Sequence, residues 1–173
     1  MPMPVAHSLV GASLVAALLP RRPRYWAWLA AGAVLANSAD LDFFLVFVFR
    51  SRAWHRGFTH SLVFALVVFV CFLLALGRRR AREAAAFGLA FASHVVLDFA
   101  TTKAGGGLEL LWPFSVDRLG LRWWGLSELP SGLPVAGILK SLSLEFVLFA
   151  PPLLLLILLR RAADGRAAAA GVD

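Results

Sequence analysis

The sequence predicts an all-α fold, a polytopic membrane helical bundle of about five spans with a long outer connection lying along the membrane surface. Three observations carry that prediction. Hydrophobic residues make up 60% of the 173 residues and charged residues only 16%, against about 45–50% and about 25% in soluble domains. The apolar residues gather in runs close to the length that crosses a hydrocarbon core. Short arginine clusters separate the runs: Arg21-Arg22-Pro23-Arg24, Arg78-Arg79-Arg80-Ala81-Arg82 and Arg160-Arg161. A mean hydropathy of +0.78 is more apolar surface than a chain of this size hides in one water-exposed globule. The lone cysteine, Cys71, rules out a disulfide scaffold, and the composition rules out disorder and a collagen-like fibre.

The first run, 5–19, is short and carries His7. No basic residues precede it and a basic cluster follows it, so it reads as a retained span rather than a cleavable signal. The second, 25–49, opens on Tyr25, Trp26 and Trp28, rings suited to headgroup depth. The third and fourth cover 61–77 and 83–101. The fifth, 142–159, holds Glu145, a candidate for a buried pair with Lys140. Between the last two, Thr102 to Ser141 is rich in glycine and proline and reads as a surface-lying cap, with Trp112, Trp123 and Trp124 as belt residues. No repeat divides the chain, which reads as a single domain over 1–173.

A net charge of +7 and a pI near 11.2 raise the question of nucleic acid. A nucleic-acid face needs its basic residues grouped on one surface among aromatic or polar readers. Here they punctuate apolar runs, as topology signals do. With the N-terminus outside, the inner segments hold Arg21, Arg22, Arg24, Arg78, Arg79, Arg80, Arg82, Arg160, Arg161 and Arg166. The outer segments hold Arg50, Arg52, Arg56, Lys103, Arg118, Arg122 and Lys140, spread over far more residues. The expected placement is therefore the inner (cytoplasmic) membrane, multi-pass, with the N-terminus outside and the C-terminus inside. Membrane lipids are the expected surroundings, and nucleic acid is not an expected partner.

The polar residues are the informative ones. His7, Asp40, Asp42, His55, His60, His94 and Asp98 all fall in or beside spans, where each ionisable group costs about 2.5–3.5 kcal/mol to insert. Measured from the inner end of each span at about 1.5 Å per residue, His7 lies about 18 Å up and Asp40 about 22 Å. His94, Asp98 and His60 lie about 16, 22 and 25 Å up. Antiparallel spans thus bring their polar residues into one band in the outer half of the core.

Spacing adds chemistry. His94 and Asp98 are i, i+4, so imidazole and carboxylate share a helix face and can hold one cation. Asp40 and Asp42 are i, i+2, which an unbroken helix points apart. Either the helix is irregular there, or one aspartate ligates while the other orients a histidine or a water. In His55-Arg56-Gly57-Phe58-Thr59-His60-Ser61, Thr59 can cap the third span. Imidazoles and carboxylates without thiolate suit Zn²⁺ foremost, with Mn²⁺ or Fe²⁺ possible. The number of candidates exceeds one tetrahedral site, so one or two ions fit, with Asp98 or Asp40 as a bridge.

These residues resemble the YdjM-type family of inner-membrane proteins described as metal-dependent hydrolases. The resemblance rests on His7, Asp40-Leu41-Asp42, the block His55 to Ser61, His94-x-x-x-Asp98 and Leu110-Leu111-Trp112-Pro113-Phe114-Ser115, about two thirds of the chain. The block from His55 to Ser61 is the most specific part. The family usually has proline before the first aspartate, where this chain has Ala39. The family is in turn distantly similar to zinc-dependent phospholipases C and P1-type nucleases. That resemblance implies His7, Asp40, His60, His94 and Asp98 as metal ligands.

The expected function is a membrane-embedded metal hydrolase acting at the outer face on a phosphoester or related ester, including that of a lipid. The metal lowers the pKa of a bound water toward about 7. Asp42 or His55 takes the proton or orients that water, Arg56 clamps a phosphate through its planar fork, and Thr59 and Ser61 stand behind the ligands. A divalent-metal binding or transport protein without hydrolytic activity is the alternative. It is disfavoured by the lack of repeats and of a polar path inward. A bis-histidine haem protein ranks third, since carboxylates crowd the histidines.

Overall fold

The computed structural model describes residues 4–21, 23–102, 106–121 and 135–169. Among those residues it is helical apart from short connections between helices and an isolated antiparallel bridge between Leu108 and Leu119 with the turns around it. The helices are α1 (Pro4–Leu18), α2 (Tyr25–Leu35), α3 (Phe43–Phe49), α4 (Leu62–Leu76), α5 (Ala81–Thr101) and α6 (Val135–Ala169).

The expected apolar runs recur as helical elements, and two to four of them, not five, meet the length and hydropathy of a membrane crossing. The second is not one helix. It breaks after Leu35, continues as a 3-10 helix over Ser38–Asp42 and resumes as α3, with a bend of 47°. A similar bend of 53° joins the 52–60 segment to α4. By length and hydropathy two helices are long enough to cross a membrane, and up to four if each bent pair is one span. α1 is apolar but only 15 residues long. The outer connection is also shorter than expected, because α6 begins at Val135. Arg122, Trp123, Trp124, Pro130 and Pro134 lie outside the described residues, as do Arg22 and Lys103.

α5 is the central helix, with 56% of its apolar window buried against 6% for α6. Its sequence explains this. Alanine and glycine at Ala84, Ala86, Gly88 and Ala90 let neighbours approach, and the buried face continues through Ser93, His94, Val95 and Asp98. A Cβ on Gly88 would lie 2.8 Å from the Phe69 Cβ of α4. α1 and α2 cross still more closely, since a Cβ on Gly11 would lie 2.4 Å from the Gly32 carbonyl oxygen. Membrane helices lack a hydrophobic drive to pair with one another, so such small-residue crossings carry the packing.

The buried residues divide by level. Val15, Ala16, Leu19, Tyr25, Leu29 and Phe87 make an apolar core toward the end where the arginine clusters lie. Toward the other end the core holds His7, Asp42, His60, His94 and Asp98. α6 packs on the outside of α1 through Leu153, Leu156 and Ile157. Its fully buried Glu145 accepts a hydrogen bond from the Ala6 backbone N–H at 3.0 Å. That contact, between α6 and the first turns of α1, is the described role of Glu145. The tail of α6 is held by an Arg160 hydrogen bond to the Ala17 carbonyl and an Arg21–Asp164 ion pair.

Candidate metal centre

The break after α2 builds the site. Without a further helical turn to occupy it, the Ala36 carbonyl oxygen accepts a hydrogen bond from His94 Nδ1 at 2.7 Å. A carbonyl only accepts, so the proton sits on Nδ1 and the His94 Nε2 carries its lone pair inward. A 3-10 helix advances about 120° per residue, so Asp40 and Asp42 leave Ser38–Asp42 in different directions. The helix is therefore irregular there, as one reading of that pair expects, and the two carboxylates face different partners.

Asp42 faces the 55–60 segment. One oxygen is 2.9 Å from His55 Nδ1. The other accepts from the Arg56 backbone N–H at 2.9 Å and from the Thr59 hydroxyl at 3.0 Å, and lies 3.2 Å from His60 Nδ1. The Thr59 oxygen is also 3.0 Å from His60 Nδ1. Thr59 is thus not the cap of α4. That cap is Ser61, whose Oγ accepts from the Phe64 N–H at 3.0 Å. With a carboxylate and a hydroxyl oxygen around it, His60 Nδ1 is the protonated nitrogen, and Nε2 again points inward with a lone pair.

The two inward nitrogens, His60 Nε2 and His94 Nε2, lie 3.0 Å apart. Asp40 Oδ1 is 3.5 Å from each of them, and Asp98 Oδ2 is 3.9 Å from each. His7 stacks on His94 with ring centroids 3.9 Å apart and places Nε2 3.4 Å from Asp98 Oδ1. The Arg56 Nε lies 3.7 Å from Asp98 Oδ2. All five expected ligands, His7, Asp40, His60, His94 and Asp98, are therefore brought together from four segments of the chain. Asp42, His55 and Arg56 form the wall behind them.

The donor set fits a divalent cation. Asp40 Oδ1, both Asp98 oxygens and both His7 nitrogens are buried without a hydrogen-bond partner among the described residues. Such orphaned atoms are rare unless something else satisfies them. Ligands of a tetrahedral zinc ion stand about 3.3 Å from one another, close to the separations among His60, His94 and Asp40. His60 Nε2 and His94 Nε2, 3.0 Å apart, hold either a shared proton or a cation between them, since two bare lone pairs there would repel. Three sets of side chains have ligand atoms within 4.8 Å of one another: Asp40, His60 and His94; His7, His94 and Asp98; and Asp40, Asp42 and His55. The 3.0 Å gap between His60 and His94 leaves no room for a porphyrin, which removes the haem reading.

Arg56 is held at φ +61°, the left-handed region that side chains seldom adopt. Its carbonyl accepts from the Glu109 N–H at 3.0 Å, and the Leu62 N–H donates to the Leu110 carbonyl at 3.0 Å. The described part of the outer connection therefore lies directly over the 55–61 block. Strained backbone over-determined in this way concentrates at functional sites.

Some contributors are not legible in the sequence as site residues. The Ala36 carbonyl carries no side-chain signal, although the polar Asn37-Ser38 pair beside it marks the break. Gly11 and Gly32 bring α1 to the distance at which His7 reaches the cluster, and a glycine in each of two neighbouring spans is the available sign.

Comparison with known proteins agrees with the residues. The chain is similar to the inner membrane protein YbcI of Escherichia coli (strain K12), with 34% identity over 146 residues, 77% of this chain and 80% of that protein. No solved structure matches it. The YdjM inner membrane protein family matches residues 1–167, every residue of the cluster included. The chain belongs to the YdjM inner membrane protein family.

Proposed function

We propose that this protein is a membrane-embedded, metal-dependent hydrolase that cleaves a phosphoester or related ester at the outer face of the inner membrane. The observation that carries the reading is the convergence of His60 Nε2, His94 Nε2 and Asp40 Oδ1, each 3.0–3.5 Å from the others, with Asp98 alongside.

His60, His94 and Asp40 would hold the principal ion, with Asp98 as fourth donor, and His7 with the far oxygen of Asp98 would begin a second position. Zinc suits the set best. A divalent cation there supplies Lewis acidity and an acidified water near neutral pH. His55 would act as the proton carrier: Asp42 fixes its Nδ1, leaving Nε2 as the basic nitrogen, the arrangement by which a carboxylate orients a catalytic imidazole. Arg56 would stabilise charge developing on the phosphoryl oxygens.

The chain would cross the membrane five times with its N-terminus outside, each bent pair making one span and α1 a short one. The apolar core of Val15, Ala16, Leu19, Leu29 and Phe87 fills the bundle below the cluster. A cation has no polar way through it, which favours hydrolysis over transport. The test is turnover by the purified, zinc-loaded protein on phosphomonoester, phosphodiester and glycerophospholipid panels, comparing wild type with His55→Ala and Asp40→Asn. Hydrolysis lost in both variants supports the reading. Bound metal with no turnover on any panel leaves a metal-binding protein without hydrolytic activity.

A further inference from the structure

The cluster is nearly sealed. His7, His60, His94 and Asp98 are fully buried, and Asp40 alone among the proposed ligands keeps an exposed side chain, at 19%. Its Oδ1 is buried against the histidines, so the exposed part of the side chain lies on its other side. That side opens into a groove of about 440 Å³ between α1 and the α2–Ser38 region, lined by Ser8, Ala33, Val34, Asn37, Asp40 and Leu41. The groove has a structural cause. α1 and α2 touch backbone to backbone at Gly11 and Gly32 and diverge beyond that point, leaving a wedge toward Pro4 and Leu41.

The chemistry of the wedge is graded. At its base are the Asp40 carboxylate, Asn37 and Ser8, the latter two joined by a 2.9 Å hydrogen bond. Its walls are Ala33, Val34 and Leu41, and Val34 and Leu41 are 69% and 71% exposed. In a membrane protein such side chains face acyl chains, not water. Approach from the opposite side meets the ring of Phe43 stacked on His55 at 4.0 Å. A second groove, between α1 and α6, is lined by Leu9, Phe146, Val147, Pro151 and Leu154 and has no polar base.

We infer that the α1–α2 wedge is a lateral portal for a bilayer phospholipid, with its polar head entering at Ser8, Asn37 and Asp40, whose charge a cation at the cluster would offset, and one acyl chain along Ala33, Val34 and Leu41. This rests on the hydrolase reading and names its substrate class: an ester that never leaves the membrane. An amphiphile matches a site that is polar at its buried end and apolar at its lipid-facing end. A free phosphate compound matches only the base.

The test uses the full chain in nanodiscs containing a phosphatidylglycerol with a diazirine in its acyl chain, with adducts mapped by mass spectrometry after illumination. Labelling of 4–8 and 33–41, per exposed apolar residue, should exceed that of the α4 outer face (Leu66, Leu74) by about fivefold, equivalent to about 1 kcal/mol of preference. Val34→Trp and Ala33→Phe should bring it down to the α4 level while labelling near Phe146 and Pro151 stays unchanged. That second groove is also the folding control, and if both variants lose it the wild-type map alone decides. Even labelling of α4, α6 and the wedge overturns the portal, as does wedge labelling untouched by well-folded variants. Preferential labelling without hydrolysis of any ester keeps the portal and removes the enzyme. Hydrolysis of p-nitrophenyl phosphate without preferential labelling does the reverse.

Discussion

Asp40 and Asp42 are two residues apart and do different work. Asp40 turns Oδ1 toward both His60 and His94 at 3.5 Å, whereas Asp42 commits its oxygens to His55, Arg56, Thr59 and His60. Both leave the same 3-10 helix, Ser38–Asp42, about 120° apart in direction. One carboxylate faces the cation position, and the other fixes the tautomer and direction of the histidine across from it.

That division predicts unequal consequences. Asp40→Asn removes a charged donor from the ion, whereas Asp42→Asn leaves the ion's donors in place and removes the partner that orients His60, along with the charge that holds His55 and Thr59. Loss of such an orienting carboxylate costs about 10–100-fold in metal affinity. Chelator competition on purified protein should therefore place Asp42→Asn between wild type and Asp40→Asn. Equal affinity for wild type and Asp42→Asn would show that the His60 tautomer does not depend on Asp42.

The crossing of α1 and α2 predicts a steric effect. A Cβ on Gly11 would lie 2.5 Å from the Ala36 Cβ as well as 2.4 Å from the Gly32 oxygen. Gly11→Ala should destabilise by about 1–3 kcal/mol, the usual cost of overpacking. It should also weaken metal binding, because Ala36 holds His94. A Cβ on Gly165 of α6 would meet nothing within 4 Å, so Gly165→Ala should be neutral or stabilising by up to about 1 kcal/mol. Thermal unfolding in detergent compares the two, and equal melting temperatures would refute the close crossing.

Much of this is legible in the sequence because the membrane limits the choices. Buried ionisable groups are costly there, so His7, His60, His94 and Asp98 stand out without knowledge of the packing. The features hidden from the sequence are those decided by backbone geometry. The polar Asn37-Ser38 pair marks the break in the 25–49 run, but nothing in the apolar phenylalanine, leucine and valine that follow marks where α3 resumes. The cap of α4 is Ser61 rather than Thr59 because Thr59 is drawn to Asp42, a contact 17 residues away in sequence. Glu145 bonds the Ala6 N–H across a sequence separation of 139, a contact that no local spacing signals.

Glu145 gives a third prediction. Leaving a buried donor without its acceptor costs about 1–3 kcal/mol, and this hydrogen bond joins α6 to the turn that bears His7. Glu145→Ala should lower stability by about that amount, whereas Glu145→Gln keeps an accepting oxygen and should recover most of it. Denaturation in mixed micelles measures both. A glutamine variant as unstable as the alanine one would show that the Ala6 N–H is not the contact that matters.

The central claim is that three segments of this chain assemble a cation site from His60, His94, Asp40 and Asp98. Elemental analysis of detergent-purified protein, prepared without chelator, tests it most directly. At least one divalent ion per chain, zinc foremost, is predicted in wild type and in His55→Ala, and its loss is predicted in His60→Ala and His94→Ala. Wild-type protein without stoichiometric divalent metal, or a His94→Ala variant with its full complement, would contradict the account.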